Sequence, residues 1–193
     1  MVLPITAYGH PVLRKVAKEI DQNYPGLDEL IQNMWETMYY TEGVGLAAPQ
    51  VNKSIRLFIV DASPYGDQVP EAKDFSQAFI NPRIVERRDE EKLVEEGCLS
   101  IPQIREEVKR QDTIDIEYYD ADWNFQKSTF SGMLSRIIQH EYDHIEGVLF
   151  TDHLSSMRKT MLRSKLSNIS KGNIDVDYKM IFPFMKKANK TKT

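Results

Sequence analysis

The chain has 193 residues, of which 41% are hydrophobic and 28% charged, as is typical of an ordinary soluble globular protein with one core. No apolar run reaches the length of a membrane span, and no signal peptide is evident, so we expect no membrane association. Cys98 is the single cysteine, which excludes an intrachain disulfide and favours the reducing cytoplasm.

The first half of the chain predicts one helix followed by strands and loops. Apolar residues at helical spacing indicate a first helix over 27–40. The pattern then predicts a glycine-containing loop over 41–50, a buried strand over 55–60 and a long surface loop over 61–77. Two further strands are expected over 78–85 and 91–96.

The second half predicts a hairpin and two helices. Apolar and polar residues alternate over 113–119, and after a turn the chain returns as a partner strand over 123–130. A helix is expected from the candidate N-cap Ser131 to Gly147, and a last helix over 154–169.

The net charge of −4 is unevenly distributed. Residues 154–193 carry 10 Lys and Arg against 2 Asp, whereas the first 153 residues carry 15 Lys and Arg against 27 Asp and Glu. A solvated helix face with a frayed tail explains the basic end most simply, and docking onto an anionic partner such as RNA is the sharper hypothesis. Aromatic residues do not alternate with these charges as a single-strand binding groove would need, and we expect no DNA partner.

The most informative motif is HExxH, at His140–His144. Two histidines four residues apart share one helix face and can bind one metal ion, and Glu141 can reach a metal-bound water. The pattern predicts a metal-activated water that attacks a carbonyl. Because strands cluster between helices, we predict an α+β fold in which antiparallel or mixed sheets pack around this central metal-binding helix.

A catalytic site of this type needs a third protein ligand and an open position for water. Phe150 stands where a metzincin has its third histidine, and Glu146, the last Glu of the chain, lies too near the motif to serve as a thermolysin-type ligand. Asp152 and His153 are more typical of a turn residue and a surface histidine. A lone cysteine is often a small buried hydrophobe, but next to an incomplete HExxH site Cys98 is the strongest candidate for the third ligand.

Three segments together resemble the motifs of the peptide deformylase family: GVGLAAPQ at Gly43–Gln50, EGCLS at Glu96–Ser100 and HEYDH at His140–His144. Their order and wide spacing also fit, and the resemblance covers roughly Ile5–Leu154. It implies the N-formyl-methionine start of nascent bacterial-type polypeptides as substrate, with formate released. It also implies one divalent metal ion, usually Fe(II) with Zn, Ni or Co as alternatives, held by Cys98, His140 and His144.

The resemblance also implies roles for residues around the metal. Glu141 would be the general base and later the acid, while the Gln50 side-chain amide and the Leu99 backbone N–H would stabilise the oxyanion. The backbone positions that pair with an extended peptide substrate would be Val44, Gly45 and Gly97. Plain turn geometry is the alternative for these glycines.

Met133 and Ile137 precede His140 by seven and three residues, on the metal-facing side of the helix. They are candidates to line the pocket for the methionine side chain, although residues at such spacing are more often core. We expect a single catalytic domain over 1–180 and a basic tail over 181–193. Transient association with the ribosome is expected through the whole basic C-terminal stretch, 154–193. Two rival hypotheses are a metallopeptidase with an unusual third ligand, which would cleave internal peptide bonds, and a non-catalytic module with a structural metal.

Overall fold

The computed structural model describes residues 1–183 of the chain. The last ten residues of the predicted basic tail, 184–193, lie outside the described part. The helices and strands, in chain order, are β1 Ile5–Thr6, α1 Leu27–Tyr40, β2 Gly45–Ala47, β3 Leu57–Asp61, β4 Ser76–Cys98, β5 Ile101–Tyr119, β6 Phe125–Ser131, α2 Gly132–Ile145, α3 Ser156–Ser170 and β7 Met180–Ile181.

Five strands form one antiparallel sheet in the order β2–β3–β4–β5–β6. Strands β4 and β5 make a long hairpin that closes at the Cys98–Ile101 pair, with several register shifts along its length. A second, two-stranded parallel ribbon joins β1 to β7. The predicted α+β class with mostly antiparallel pairing is confirmed.

Helix α2 lies at the centre of the molecule. Its apolar residues Leu134, Ile137, Ile138 and Ile145 are buried in one cluster with side chains of the sheet. Gly147 has a φ of +73°, which favours glycine, and ends the helix as predicted. Ser131 occupies the N-cap position, but its side chain makes no capping hydrogen bond and its hydroxyl instead accepts from Thr113 at 3.3 Å.

Several predicted boundaries need correction. The two strands predicted over 78–85 and 91–96 are parts of the single strand β4, and the first half of β5 was not predicted as a strand. Part of the segment predicted as a loop over 41–50 forms β2. The last helix begins at Ser156, after Ser155, whose side chain accepts from the Arg158 N–H. Within residues 1–183, no helix is long and apolar enough to span a bilayer.

Candidate metal centre and active-site cleft

The end of β4 and two turns of α2 bring three metal-ligating side chains together. Ligand atoms of Cys98, His140 and His144 all lie within 4.8 Å of one another. The two imidazole rings are 5.2 Å apart between centroids, and Cys98 Sγ lies 3.3 Å from His144 Nε2. Because the cluster joins the second and third sequence motifs, the ligand set inferred from the resemblance is geometrically compatible with one ion.

The chemical state of the Cys98 side chain also fits a divalent transition metal. Burial alone would raise the pKa of the Cys98 thiol, but the neighbouring His144 and His140 lower it to about 5. The thiolate, which is the ligating form, therefore predominates at neutral pH. His140 Nδ1 lies 2.9 Å from Glu96 Oε2, which leaves Nε2 of that ring as the ligand atom.

A buried ionic network supports the cluster from behind. Glu96 accepts hydrogen bonds from Arg110 Nε at 2.7 Å and from Arg136 Nη1 at 3.0 Å. Arg110 Nη1 also donates to Asp143 Oδ2 at 2.7 Å. These charged side chains are at most 10% exposed, so the ion pairs replace the hydration that each charge loses on burial.

The sequence did not assign a role to this network. Glu96 belongs to the EGCLS motif, and an acidic residue two positions before a metal ligand was the one local signal for it. Arg110 lies in the part of β5 that was not predicted as a strand, so its partners could not be inferred.

The other candidate ligands do not join the metal cluster. His153 is an exposed residue, as predicted, and its Nε2 atom lies 2.7 Å from Asp143 Oδ2 of the ionic network. Asp152 accepts from the Leu149 N–H at 2.8 Å and forms an ion pair with Arg14. Asp152 is thus a turn residue, as predicted, and neither side chain belongs to the cluster formed by Cys98 and the two HExxH histidines.

Glu141 lies beside the metal cluster in an apolar and crowded position. Its side chain is buried, and its Oε2 atom has no hydrogen-bond partner among the described residues. Burial raises the pKa of Glu141 to about 7, against the opposing effect of His140 and His144. Gly45 of β2 passes so close that a Cβ on it would lie 2.8 Å from the Glu141 carboxylate carbon. The absence of a side chain at Gly45 therefore makes room for this carboxylate.

The two predicted oxyanion donors both belong to residues next to Cys98. Gln50 Oε1 accepts from the Ala47 N–H at 2.7 Å, which turns Nε2 of the same amide toward Cys98 Sγ, 3.5 Å away. Leu99 directly follows Cys98, and its carbonyl oxygen accepts from the Tyr178 hydroxyl at 2.8 Å. The Gln50 amide thus presents a donor to the metal cluster in a fixed orientation.

An open cleft of about 250 Å³ leads to the cluster. Every residue that the sequence predicted as catalytic or substrate-binding lines it: Val44, Gly45, Gln50, Gly97, Leu99, Met133, Ile137 and Glu141. Seven further lining residues were given no role from the sequence: Glu42, Gly43, Tyr65, Glu95, Glu96, Arg105 and Arg136. Glu42 and Glu95 directly precede two of the motifs, whereas Tyr65, Arg105 and Arg136 lie outside all three.

Comparisons with known proteins agree with this geometry. The family model described as Polypeptide deformylase matches residues 2–160. The chain is 56% identical to the peptide deformylase of Christiangramia forsetii, over 97% of this chain and 100% of that protein. It is 49% identical to the peptide deformylase of Flavobacterium johnsoniae, also over 97% and 100%.

Solved structures give the same result. A peptide deformylase from Legionella pneumophila matches with a TM-score of 0.77 and 35% identity, over 90% of this chain and 98% of that one. A class I type b peptide deformylase from Acinetobacter baumannii, solved with Met-Ala-Ser bound, matches with a TM-score of 0.72 and 35% identity, over 80% and 99%. The chain therefore belongs to the polypeptide deformylase family, the metal-dependent hydrolases that remove the N-formyl group from nascent peptides.

Proposed function

We propose that this deformylase hydrolyses formyl-methionyl peptides at the Cys98–His140–His144 centre, with Glu141 as the proton-transferring group. The observation that carries this proposal is the Glu141 carboxylate, which lines the cleft beside the metal cluster. One of its oxygens is buried and has no hydrogen-bond partner within residues 1–183. A buried carboxylate without a partner is costly. Its retention beside a Cys-His-His cluster supports a role in proton transfer.

Cys98, His140 and His144 would hold the metal ion, and Glu96 would keep His140 oriented. We propose Fe(II) as the ion, the usual metal in this family, with Zn, Ni or Co as alternatives, because a thiolate with two imidazoles suits all four. A divalent metal bound there lowers the pKa of its water ligand and polarises a carbonyl oxygen.

Glu141 Oε2 would accept the proton of the attacking water and then deliver it to the leaving amine, so that the formyl C–N bond breaks and formate is released with a free amino terminus. The pKa of Glu141, raised by burial to about 7, suits a group that must both accept and donate near neutral pH. The Gln50 amide and the Leu99 N–H would donate hydrogen bonds to the oxyanion that forms on the formyl oxygen.

The peptide substrate would bind as an added strand. Strand β2 is the edge strand of the sheet on its side. Strand β4 pairs with β3 over residues 76–80 alone, so the rest of that edge of β4 has no pairing with β3. Backbone around Val44 and Gly45 on one wall, and around Gly97 on the other, is therefore available to an extended chain. Main-chain pairing does not read side chains, which suits an enzyme that must process many different nascent polypeptides.

Met133 and Ile137 would form the apolar pocket for the first side chain of the substrate. Both line the cleft on the side of α2 and belong to the same apolar cluster as Val44. The Acinetobacter relative was solved with a peptide that begins with methionine, which supports a pocket for that side chain here.

The substrate class implies where the enzyme works. Because formylated chains emerge from the ribosome, we propose a cytoplasmic location and transient ribosome association through the basic C-terminal segment. We further propose that residues 1–180 form a single catalytic domain followed by the tail 181–193, whose first residue still pairs with Thr6 of that domain.

The decisive experiment measures formate release from formyl-Met-Ala-Ser by protein purified without oxygen and loaded with Fe(II). We expect rapid release by the wild type and a loss of about 10²–10⁴ in kcat for Glu141→Gln, which cannot take up the proton. If metal-loaded wild type releases no formate, the proposal is wrong. Cleavage of unformylated peptides that survives Cys98→Ala would then identify a metallopeptidase.

A further inference from the structure

The C-terminal segment over 173–183 folds back against the N-terminus of the chain. The Ile5 N–H donates to the Lys179 carbonyl at 2.8 Å, and the Ala7 N–H donates to the Ile181 carbonyl at 2.9 Å. Gly172, with a φ of +78°, turns the chain after α3 and lies against the Phe182 ring. The course of this segment is therefore fixed by backbone pairing on one side and by a glycine turn on the other.

The same segment contacts the two-residue turn Leu99–Ser100, which connects β4 to β5. The Tyr178 hydroxyl donates to the Leu99 carbonyl at 2.8 Å. The Tyr8 N–H, just after β1, donates to the Ser100 carbonyl at 2.9 Å. Two consecutive carbonyl groups of the turn are thus held by residues that flank the ribbon of β1 and β7.

Leu99 is the residue for which such a contact matters most. The β4–β5 ladder closes with the Cys98–Ile101 pair, so ladder hydrogen bonds do not set the orientation of the peptide groups between them. A phenol bonded to the Leu99 carbonyl restricts rotation of this residue, and the proposed oxyanion donor is the N–H of the same residue. Tyr178 and Leu99 also pack against the same apolar cluster, which orders both side chains.

We propose that Tyr178 is a positioning residue for deformylation, which holds Leu99 so that its N–H points at the developing oxyanion. This inference rests on the role of Leu99 under the proposed function. The match to the family model ends at residue 160, so Tyr178 lies outside the residues that this model matches. Through Tyr178, the C-terminal segment would therefore contribute to the geometry of the active site.

The test compares Tyr178→Phe with the matched control Tyr40→Phe in the full-length Fe(II) enzyme. Each variant removes one hydroxyl group, and Tyr40 contacts the same segment at the Asp177 carbonyl, 3.5 Å away, but not the Leu99 turn. For Tyr178→Phe we expect kcat to fall about tenfold or more, with KM within about twofold of wild type, since an oxyanion donor acts in the transition state. Tyr40→Phe is expected to retain wild-type kcat and KM.

A second measurement separates positioning from general loosening. In zinc-loaded protein, the amide resonance of Leu99 should broaden in Tyr178→Phe and remain sharp in Tyr40→Phe, while Tm stays close to wild type in both. An unchanged kcat in Tyr178→Phe overturns the proposal, and so does an equal loss in Tyr40→Phe or an unaltered Leu99 resonance. The wild type is assayed first. If it releases no formate, the proposed function is wrong, and this result is distinct from any difference between the two variants.

Discussion

At the scale of single residues, a side chain at position 45 would compete with the Glu141 carboxylate for the same space. A Cβ at position 45 would collide with the Glu141 side chain, which is buried and has little room to move. We therefore expect Gly45→Ala to displace the carboxylate and to lower kcat/KM by about 10²-fold, as a misplacement of about 1 Å can do. Steady-state kinetics on formyl-Met-Ala-Ser would measure this loss.

A double-mutant cycle shows whether that loss acts through Glu141. In a Glu141→Ala background the space opens and the carboxylate is absent, so adding Gly45→Ala should have little further effect on the residual rate. If the two losses multiply instead, Gly45 acts through substrate pairing alone, and the steric explanation is wrong.

The residue scale also shows what motifs can and cannot predict. Cys98, His140 and His144 were named from the sequence because metal ligation imposes residue type and spacing on the chain. Glu96 was not assigned a role, although it lies in the same motif, because its partners Arg110 and Arg136 come from elements distant in sequence. Supporting contacts of this kind depend on the tertiary fold and leave no local pattern.

At the scale of elements, Arg110 ties three elements together. It lies on β5, bonds Glu96 of β4 and Asp143 of α2, and is 4% exposed. Replacing it with methionine would leave two buried carboxylates short of a counter-charge, and breaking a buried pair costs about 3–5 kcal/mol. We expect Arg110→Met to lower the free energy of unfolding by about this amount, as measured by urea denaturation of the zinc-loaded protein.

The matched control is the neighbouring cation Lys109. Its ion pair with Glu91 is largely exposed, and such pairs contribute little to stability. Lys109→Met should therefore unfold with a midpoint close to wild type. If both variants lowered the free energy of unfolding equally, burial would not determine how much these ion pairs contribute to stability.

Strand β5 also shows why element prediction succeeded in one place and failed in another. Helix α1 begins and ends at the predicted residues because its apolar side chains recur at helical spacing and are buried. In the first half of β5, the inward positions include Glu106 and Arg110. Their burial is made possible by ion pairs with Arg158, Glu96 and Asp143. Charged residues on the buried face hid the alternation that predicts a strand.

At the scale of the whole molecule, the C-terminal end of the chain contains both a strand that pairs with the N-terminus and a group of basic residues. The sequence predicted a tail from residue 181, but Ile181 pairs with Thr6 in the ribbon of β1 and β7. This pairing joins a segment near the N-terminus to one near the C-terminal end of the described residues. Local sequence patterns do not predict a contact over such a sequence separation. A deletion of residues 171–193 would therefore remove β7 and Tyr178 together with the basic charges. Any test of the charges must leave residues 1–183 in place.

The basic charges themselves lead to a prediction about ribosome binding. Arg163 and Lys165 are exposed on α3, whereas Arg158 is already paired with Glu106. The double variant Arg163→Glu/Lys165→Glu reverses the charge at both exposed positions. It should weaken co-sedimentation with ribosomes about tenfold at low salt, because contacts to RNA phosphates are electrostatic. Truncation after residue 183, which removes four lysines, should act in the same direction.

The control is the same change of charge elsewhere on the molecule. Lys15 and Lys18 are exposed and belong to the acidic first 153 residues, so Lys15→Glu/Lys18→Glu alters net charge equally without touching the basic end. Formate release from a free peptide should be unaffected in all three proteins, since none of these changes reaches the cleft. If the Lys15→Glu/Lys18→Glu control weakens sedimentation as much as the α3 variant, net charge governs binding and the C-terminal surface is not the docking site.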